Sequence, residues 1–120
     1  MSKNLEFFQK VNESFMKGDV DFLIENIAPN IEWYMVGEQT IVGKENVREM
    51  LEPMRGVVAE GYETKKIITH GDTAAIEGTM KMPDENGEIK SYAFCDIYKL
   101  DKFKGGKIKE MTAFVIEDNR

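Results

Sequence analysis

Asp96 is the residue whose type and surroundings point most directly to chemistry. It stands in the run Tyr92-Ala93-Phe94-Cys95-Asp96-Ile97-Tyr98, and two-residue alternation puts Tyr92, Phe94, Asp96 and Tyr98 on one face of a strand. If that face lines a cavity, the carboxyl loses hydration, its pKa rises, and it becomes a proton donor or shuttle near neutral pH. The plain structural alternative is an Asp hydrogen-bonded to a neighbouring Tyr or Trp, or one at a wet pocket mouth. Glu77, in Ala75-Ile76-Glu77-Gly78-Thr79, is the second carboxylate inside a strand and a candidate to share acid and base roles with Asp96. Alternation argues against it, because Ile76, Gly78, Met80 and Met82 form the more apolar face. Turned outward, Glu77 belongs to solvent or to a dimer interface.

The other reactive side chains exclude more than they suggest. Cys95 adjoins Asp96 but points to the opposite face, and it reads as a buried structural thiol. One Cys excludes an intrachain disulfide and fits a reducing, cytoplasmic setting. His70 is the only His and falls at a predicted turn; a zinc site of His and Cys needs three or four ligands. Asp84, Glu85, Asn86 and Glu88 look like a calcium loop but lack its sixth-position Gly and twelfth-position acid, so they read as a polar hairpin. No phosphate cradle or Ser-His-Asp set is present, and neither metal nor cofactor is expected. Eight Met residues are many for 120, and Met50, Met54 and Met111 fit either an adaptable apolar cavity or plain core filling.

The elements that must position Asp96 follow from periodicity. Leu5, Phe8, Val11 and Phe15 recur at helical spacing, and Gly18 supplies a stop. Asp19 occupies an N-cap position before Val20, Leu23, Ile24 and Ile27, so residues 3–28 read as a helical hairpin that Pro29 ends. Residues 31–36 form a strand that turns at Gly37, and 39–42 a short return. Gly43 opens a third helix with Val47, Met50, Leu51 and Met54 on one face, ending or kinking at Pro53. After Gly56 the period changes to two. Strands are predicted near 60–70, 73–82, 88–101 and 107–117, with turn chemistry at His70-Gly71-Asp72, Glu85-Asn86-Gly87 and Lys104-Gly105-Gly106-Lys107. Helices first and antiparallel strands after argue an α+β domain over residues 1–120, a strongly curved sheet wrapped on helices to form a cone open at one end.

Length and charge agree with one domain and narrow its partners. A chain of 120 residues that is 42% hydrophobic supports one real core. The net charge of −6 disfavours nucleic acid and anionic membrane. The only basic cluster, Lys99, Lys102, Lys104, Lys107 and Lys109, is interrupted by Asp101 and reads as a solvated hairpin tip. No apolar run approaches a membrane span, and residues 1–6 show no signal-peptide core.

This order of elements resembles the nuclear transport factor 2-like superfamily, which includes ketosteroid isomerases, SnoaL-like polyketide cyclases and limonene epoxide hydrolases. The likeness is carried by Phe15-Met16-Lys17-Gly18-Asp19-Val20-Asp21, Ile27-Ala28-Pro29-Asn30-Ile31-Glu32-Trp33, Ile41-Val42-Gly43-Lys44-Glu45, and Cys95-Asp96-Ile97-Tyr98 followed by Gly106-Lys107-Ile108. The resemblance implies a cystatin-like cone and turns Ile31, Trp33 and Met35 inward. Trp33, Met35, Phe94, Tyr98 and Met111 would then wall a pocket for a small apolar or amphipathic ligand.

It also matches Asp96 to the aspartate that ketosteroid isomerases keep protonated in an apolar oxyanion hole, a standard case of such tuning. The isomerase phenol falls at Val11 and its general base near Met35, so steroid isomerisation is not expected. The Arg-x-Asp of the epoxide hydrolases is missing, with Ala113 near where their second Asp would stand, and the His residues of scytalone dehydratases are missing too. The SnoaL-like branch remains. Members often dimerise through the outer sheet face, which Ala93, Cys95, Ile97, Thr112 and Phe114 would supply here. The resemblance thus implies either a proton-transfer enzyme of isomerase, cyclase or hydrolase type, or a homodimeric ligand-binding or protein-interaction module without chemistry.

Overall fold

The computed structural model describes residues 3–118. Helix α1, Lys3–Lys17, buries Phe8, Val11, Asn12 and Ser14 along one stripe. It stops at Gly18, whose φ of +73° suits glycine, and a Cβ there would meet the Met54 carbonyl oxygen at 2.5 Å. Asp19 then caps α2, Val20–Glu25, by accepting a hydrogen bond from the Phe22 N–H at 3.1 Å.

Strand β1, Ile27–Met35, begins earlier than periodicity suggested and includes Pro29. Its pairing with the last strand shifts register between Ile27 and Glu32, and this irregular stretch accommodates a residue without an N–H. β2, Gln39–Val42, returns antiparallel, and α3, Lys44–Leu51, follows. A single 3-10 turn, Glu52–Met54, ends it with Pro53 inside, as expected of a proline in a last turn. The long strands are β3, Glu63–His70; β4, Thr73–Pro83; β5, Ile89–Leu100; and β6, Ile108–Glu117.

These six strands form one sheet in the order β2-β1-β6-β5-β4-β3. Neighbours are antiparallel except β1 and β6, which run parallel. Further register shifts between Thr64 and Lys66 and between Lys99 and Leu100 bend the sheet over the helices. Gly78 serves the same bend: a Cβ there would lie 2.2 Å from the Glu63 carbonyl oxygen and 2.8 Å from the Phe94 ring. The core lies between helices and sheet, with Phe8, Val11, Val20 and Leu23 packed toward Tyr98, Leu100 and Ile108. Among the described residues no helix is long and apolar enough to cross a membrane.

Candidate functional site

Past the end of α1 the inner face of the sheet is not filled. A cavity of about 410 Å³ opens there, floored by β1, β6, β5 and β4 and roofed by Phe15, Met54, Val57, Ala59 and Tyr62. The roof is set by backbone bonds. The Gly56 N–H donates to the Gly18 carbonyl and the Ala59 N–H to the Met16 carbonyl, both at 2.9 Å, so the loop after α3 hangs from the end of α1.

Cross-strand register places the floor. Trp33 pairs with Met111 and Met111 with Tyr98 in one inner row; Met35, Ala113, Asp96 and Ile76 form the next. Asp96 thus projects from β5 beside the short side chain of Ala113, with Phe94 above it on the same face. Among the described residues its carboxyl makes no hydrogen bond or ion pair, and burial alone pushes its pKa up to about 7. The Asp96 charge also reaches two phenols. Tyr62 is raised first by burial and then by that charge, and Tyr98 likewise. Tyr62 packs on Phe94 at 5.2 Å and donates its hydroxyl to Asn12 Oδ1 at 3.0 Å, while Asn12 Nδ2 donates to Thr64 Oγ1 at 2.6 Å. This chain of bonds explains a buried Asn in α1.

Trp33, Met35, Phe94, Asp96 and Met111 all lie in the cavity wall. Two expected site residues do not. Tyr98 is only 2% exposed and stacks on Phe8 at 5.3 Å, one row deeper in the closed end of the cone, so it is a core residue and not a wall. Glu77 is exposed on the outer face, paired with Cys95 and Lys66, so it shares no cavity with Asp96. Cys95 is half-buried on that outer face, where a buried structural thiol was expected; burial and then the charges of Asp96 and Glu77 raise its pKa. Val11, at the place of the isomerase phenol, is completely buried.

Other wall residues were not singled out from sequence. Tyr62 precedes β3, and Val57 and Ala59 belong to an irregular loop, so periodicity marks none of them. Glu38, in the turn after β1, and Lys81 are exposed at the lip. No group of three metal-ligating side chains occurs among the described residues. In the acidic hairpin, Asp84 Oδ1 accepts the N–H groups of Asn86 and Glu88 at 2.8 and 2.9 Å, which makes that carboxylate a turn-former. A wider cleft of about 710 Å³ between Lys3, His70 and Phe103 has no carboxylate in its lining.

The arrangement is chemically simple: a buried carboxyl, Asp96, poised to hold or release a proton near pH 7, in a small apolar chamber with a neutral phenol nearby and Glu38 exposed at the lip. Comparisons with known proteins agree with this architecture. No curated protein matches the chain. A solved NTF2-like protein of unknown function from Cytophaga hutchinsonii is similar at 27% identity and a TM-score of 0.70, over 91% of this chain and 96% of that one. An LEH-like epoxide hydrolase from M. tuberculosis has a TM-score of 0.72 at 18% identity, covering 92% and 80%. A protein assigned as a SnoaL-like polyketide cyclase from Jannaschia sp. CCS1 has the same TM-score at 15% identity, covering 93% and 84%. At these last identities the likeness is one of fold. The sequence profile of the SnoaL-like domain matches residues 8–111, reaching from Phe8 in the core into β6 at Met111, and the chain therefore belongs to the SnoaL-like branch of the NTF2-like superfamily.

Proposed function

We propose that this protein binds a small, largely apolar ligand in the 410 Å³ cavity and moves a proton on it, with Asp96 as acid and base and no cofactor. One observation carries the reading: the Asp96 carboxyl stands unpaired on apolar ground, where burial pushes its pKa up to about 7. Near neutral pH both of its forms are populated, so one group can take a proton and give it back. In the simplest step the carboxylate removes a proton from carbon beside a carbonyl. The C–H electron pair becomes the C=C bond of an enolate, and the carboxyl then returns the proton to carbon or oxygen. Nothing else is consumed. Isomerisation and intramolecular ring closure both fit such a step; the neighbouring phenols stay neutral and do not compete for the proton.

The test is exchange in D2O with a panel of cyclic ketones and enones, followed by NMR. Protein-dependent loss of the proton beside the carbonyl is expected, faster as pH rises through about 7. Asp96→Asn should slow it by about two to four orders of magnitude, the usual weight of general acid–base catalysis. Equal rates in the variant would sink the assignment. Binding without exchange in the wild type would favour the second reading, a ligand-binding module, which the apolar residues at Val11 and Met35 support.

We further propose that two copies pair through the outer sheet face. The row Tyr34, Thr112, Ile97, Ala75, Ile68 crosses five strands, and Tyr34, Ile97 and Ile68 are all exposed. Light scattering should report twice the 13.8 kDa of the chain, and a monomer at high concentration would reject the pairing.

A further inference from the structure

Trp33 carries a polar group that the fold leaves without a use. The residue is 5% exposed, its ring forms part of the cavity wall, and its Nε1–H is fully buried with no acceptor among the described residues. Burying a donor without a partner is costly, and most buried side-chain polar atoms have one. A Phe would fill the same wall without that penalty. We infer that the Trp33 Nε1–H is a ligand-binding donor that receives the carbonyl oxygen, or an equivalent acceptor, of an otherwise apolar ring compound.

The surroundings favour an acceptor brought by a ligand over a trapped water. Phe15 stands edge-on to the indole at 5.8 Å, and Met35 and Met111 flank it in the wall. A buried water needs two to four polar partners. Of the other polar side chains in the lining, the Tyr62 hydroxyl is donated to Asn12, Asp96 stands across β6 in the next row, and Glu38 and Lys81 are exposed at the lip. The indole nitrogen has no accessible surface, so wall side chains must yield before an acceptor reaches it. Unbranched methionines do this readily, and Met35, Met54, Met80 and Met111 all line the cavity.

Register gives the donor its chemical meaning, and here the inference rests on the proton-transfer reading. Trp33 on β1 and Asp96 on β5 lie in adjacent inner rows on either side of β6, about 10–12 Å apart along the backbone by strand spacing. On β6, Met111 stands beside Trp33 and Ala113 beside Asp96, and the short side chain of Ala113 leaves room above it. A ring seated over Ala113 presents its oxygen to Trp33 and an adjacent carbon to Asp96. The N–H then holds the oxygen on which negative charge collects as that carbon loses its proton.

The chain has one Trp, so 15N-indole labelling gives a single side-chain resonance to follow. The probes are 1-tetralone and tetralin, the same ring system with and without the oxygen. Tetralone should move the indole proton downfield and tetralin should not. Trp33→Phe should weaken tetralone about five- to tenfold and leave tetralin within twofold. Identical shifts with both probes, or equal losses in the variant, would overturn the inference; the wild-type titration decides it even where the variant folds poorly. A long-lived water at the indole N–H, detected by its nuclear Overhauser effect and retained with tetralone bound, would overturn it too. Failure of both probes to bind would remove this inference together with the ligand-binding reading. An unchanged exchange rate in Asp96→Asn, with the tetralone-specific shift intact, would remove the acid–base reading alone.

Discussion

Two ends of one inner sheet face behave differently within two residues of β5. At Tyr98 the face is packed shut, with the ring 2% exposed and stacked on Phe8. At Asp96 the same face opens on a 410 Å³ chamber. The sheet itself is continuous through both rows, so the difference lies in the cover. α1 lays Phe8 and Val11 over the closed end; over the open end the cover passes to the loop after α3, where Val57 and Ala59 are small and Tyr62 packs at one side on Phe94. A carboxyl placed under the helix would have had to pair or be protonated permanently. Placed one row further, Asp96 keeps a choice.

Three measurements can break or sharpen that contrast. The largest effect is expected from Phe8→Ala, which empties the closed end and should cost about 3–5 kcal/mol in urea unfolding, against about 1 kcal/mol for Met80→Ala in the cavity wall. Equal losses would mean that both ends are packed alike. Next comes Asp96→Asn. Burial raises the carboxyl from 3.8 to about 7, so the folded state holds the proton more tightly than the unfolded state. The residue therefore costs nothing below about pH 4, costs progressively more as pH rises toward 7, and costs its full amount above that. The variant should be more stable than wild type at pH 8, on the order of 2 kcal/mol once solvent at a half-buried group is allowed for, and indistinguishable at pH 4. A difference that does not vary with pH would place Asp96 in water. The smallest effect is expected from Glu77→Gln, on the outer face: less than about 0.5 kcal/mol and an unaltered exchange rate. A rate loss matching that of Asp96→Asn would restore the shared acid–base role that the geometry denies it.

Much of this contrast was readable in sequence, and its limits have physical causes. Period-two alternation put Phe94 and Asp96 on one face of a strand and counted against Glu77 sharing their cavity, because the side of a strand is a local property. It grouped Tyr98 with them as well, since alternation reports the side of a sheet and not the depth along a cone. That depth depends on where α1 ends, far away in sequence. Tyr62, Val57 and Ala59 lie in irregular segments that carry no period. The parallel pairing of β1 with β6 joins residues about eighty positions apart, and no local pattern encodes it. Turn chemistry did better: Asn86-Gly87 and Pro53 each sit at the breaks that backbone stereochemistry demands.

The roof of the chamber is hung from α1 by peptide groups, Gly56 to Gly18 and Ala59 to Met16. Two side chains of the same segment tie back as well, Arg55 to Asp21 and Tyr62 to Asn12, whereas Val57 and Ala59 line the chamber and are held only through the backbone. Val57, exposed and part of the lining, is consequently open to replacement. Variation there would retune ligand preference at little expense to folding, which makes this loop the natural place for descendants of the chain to diverge and for a designer to begin.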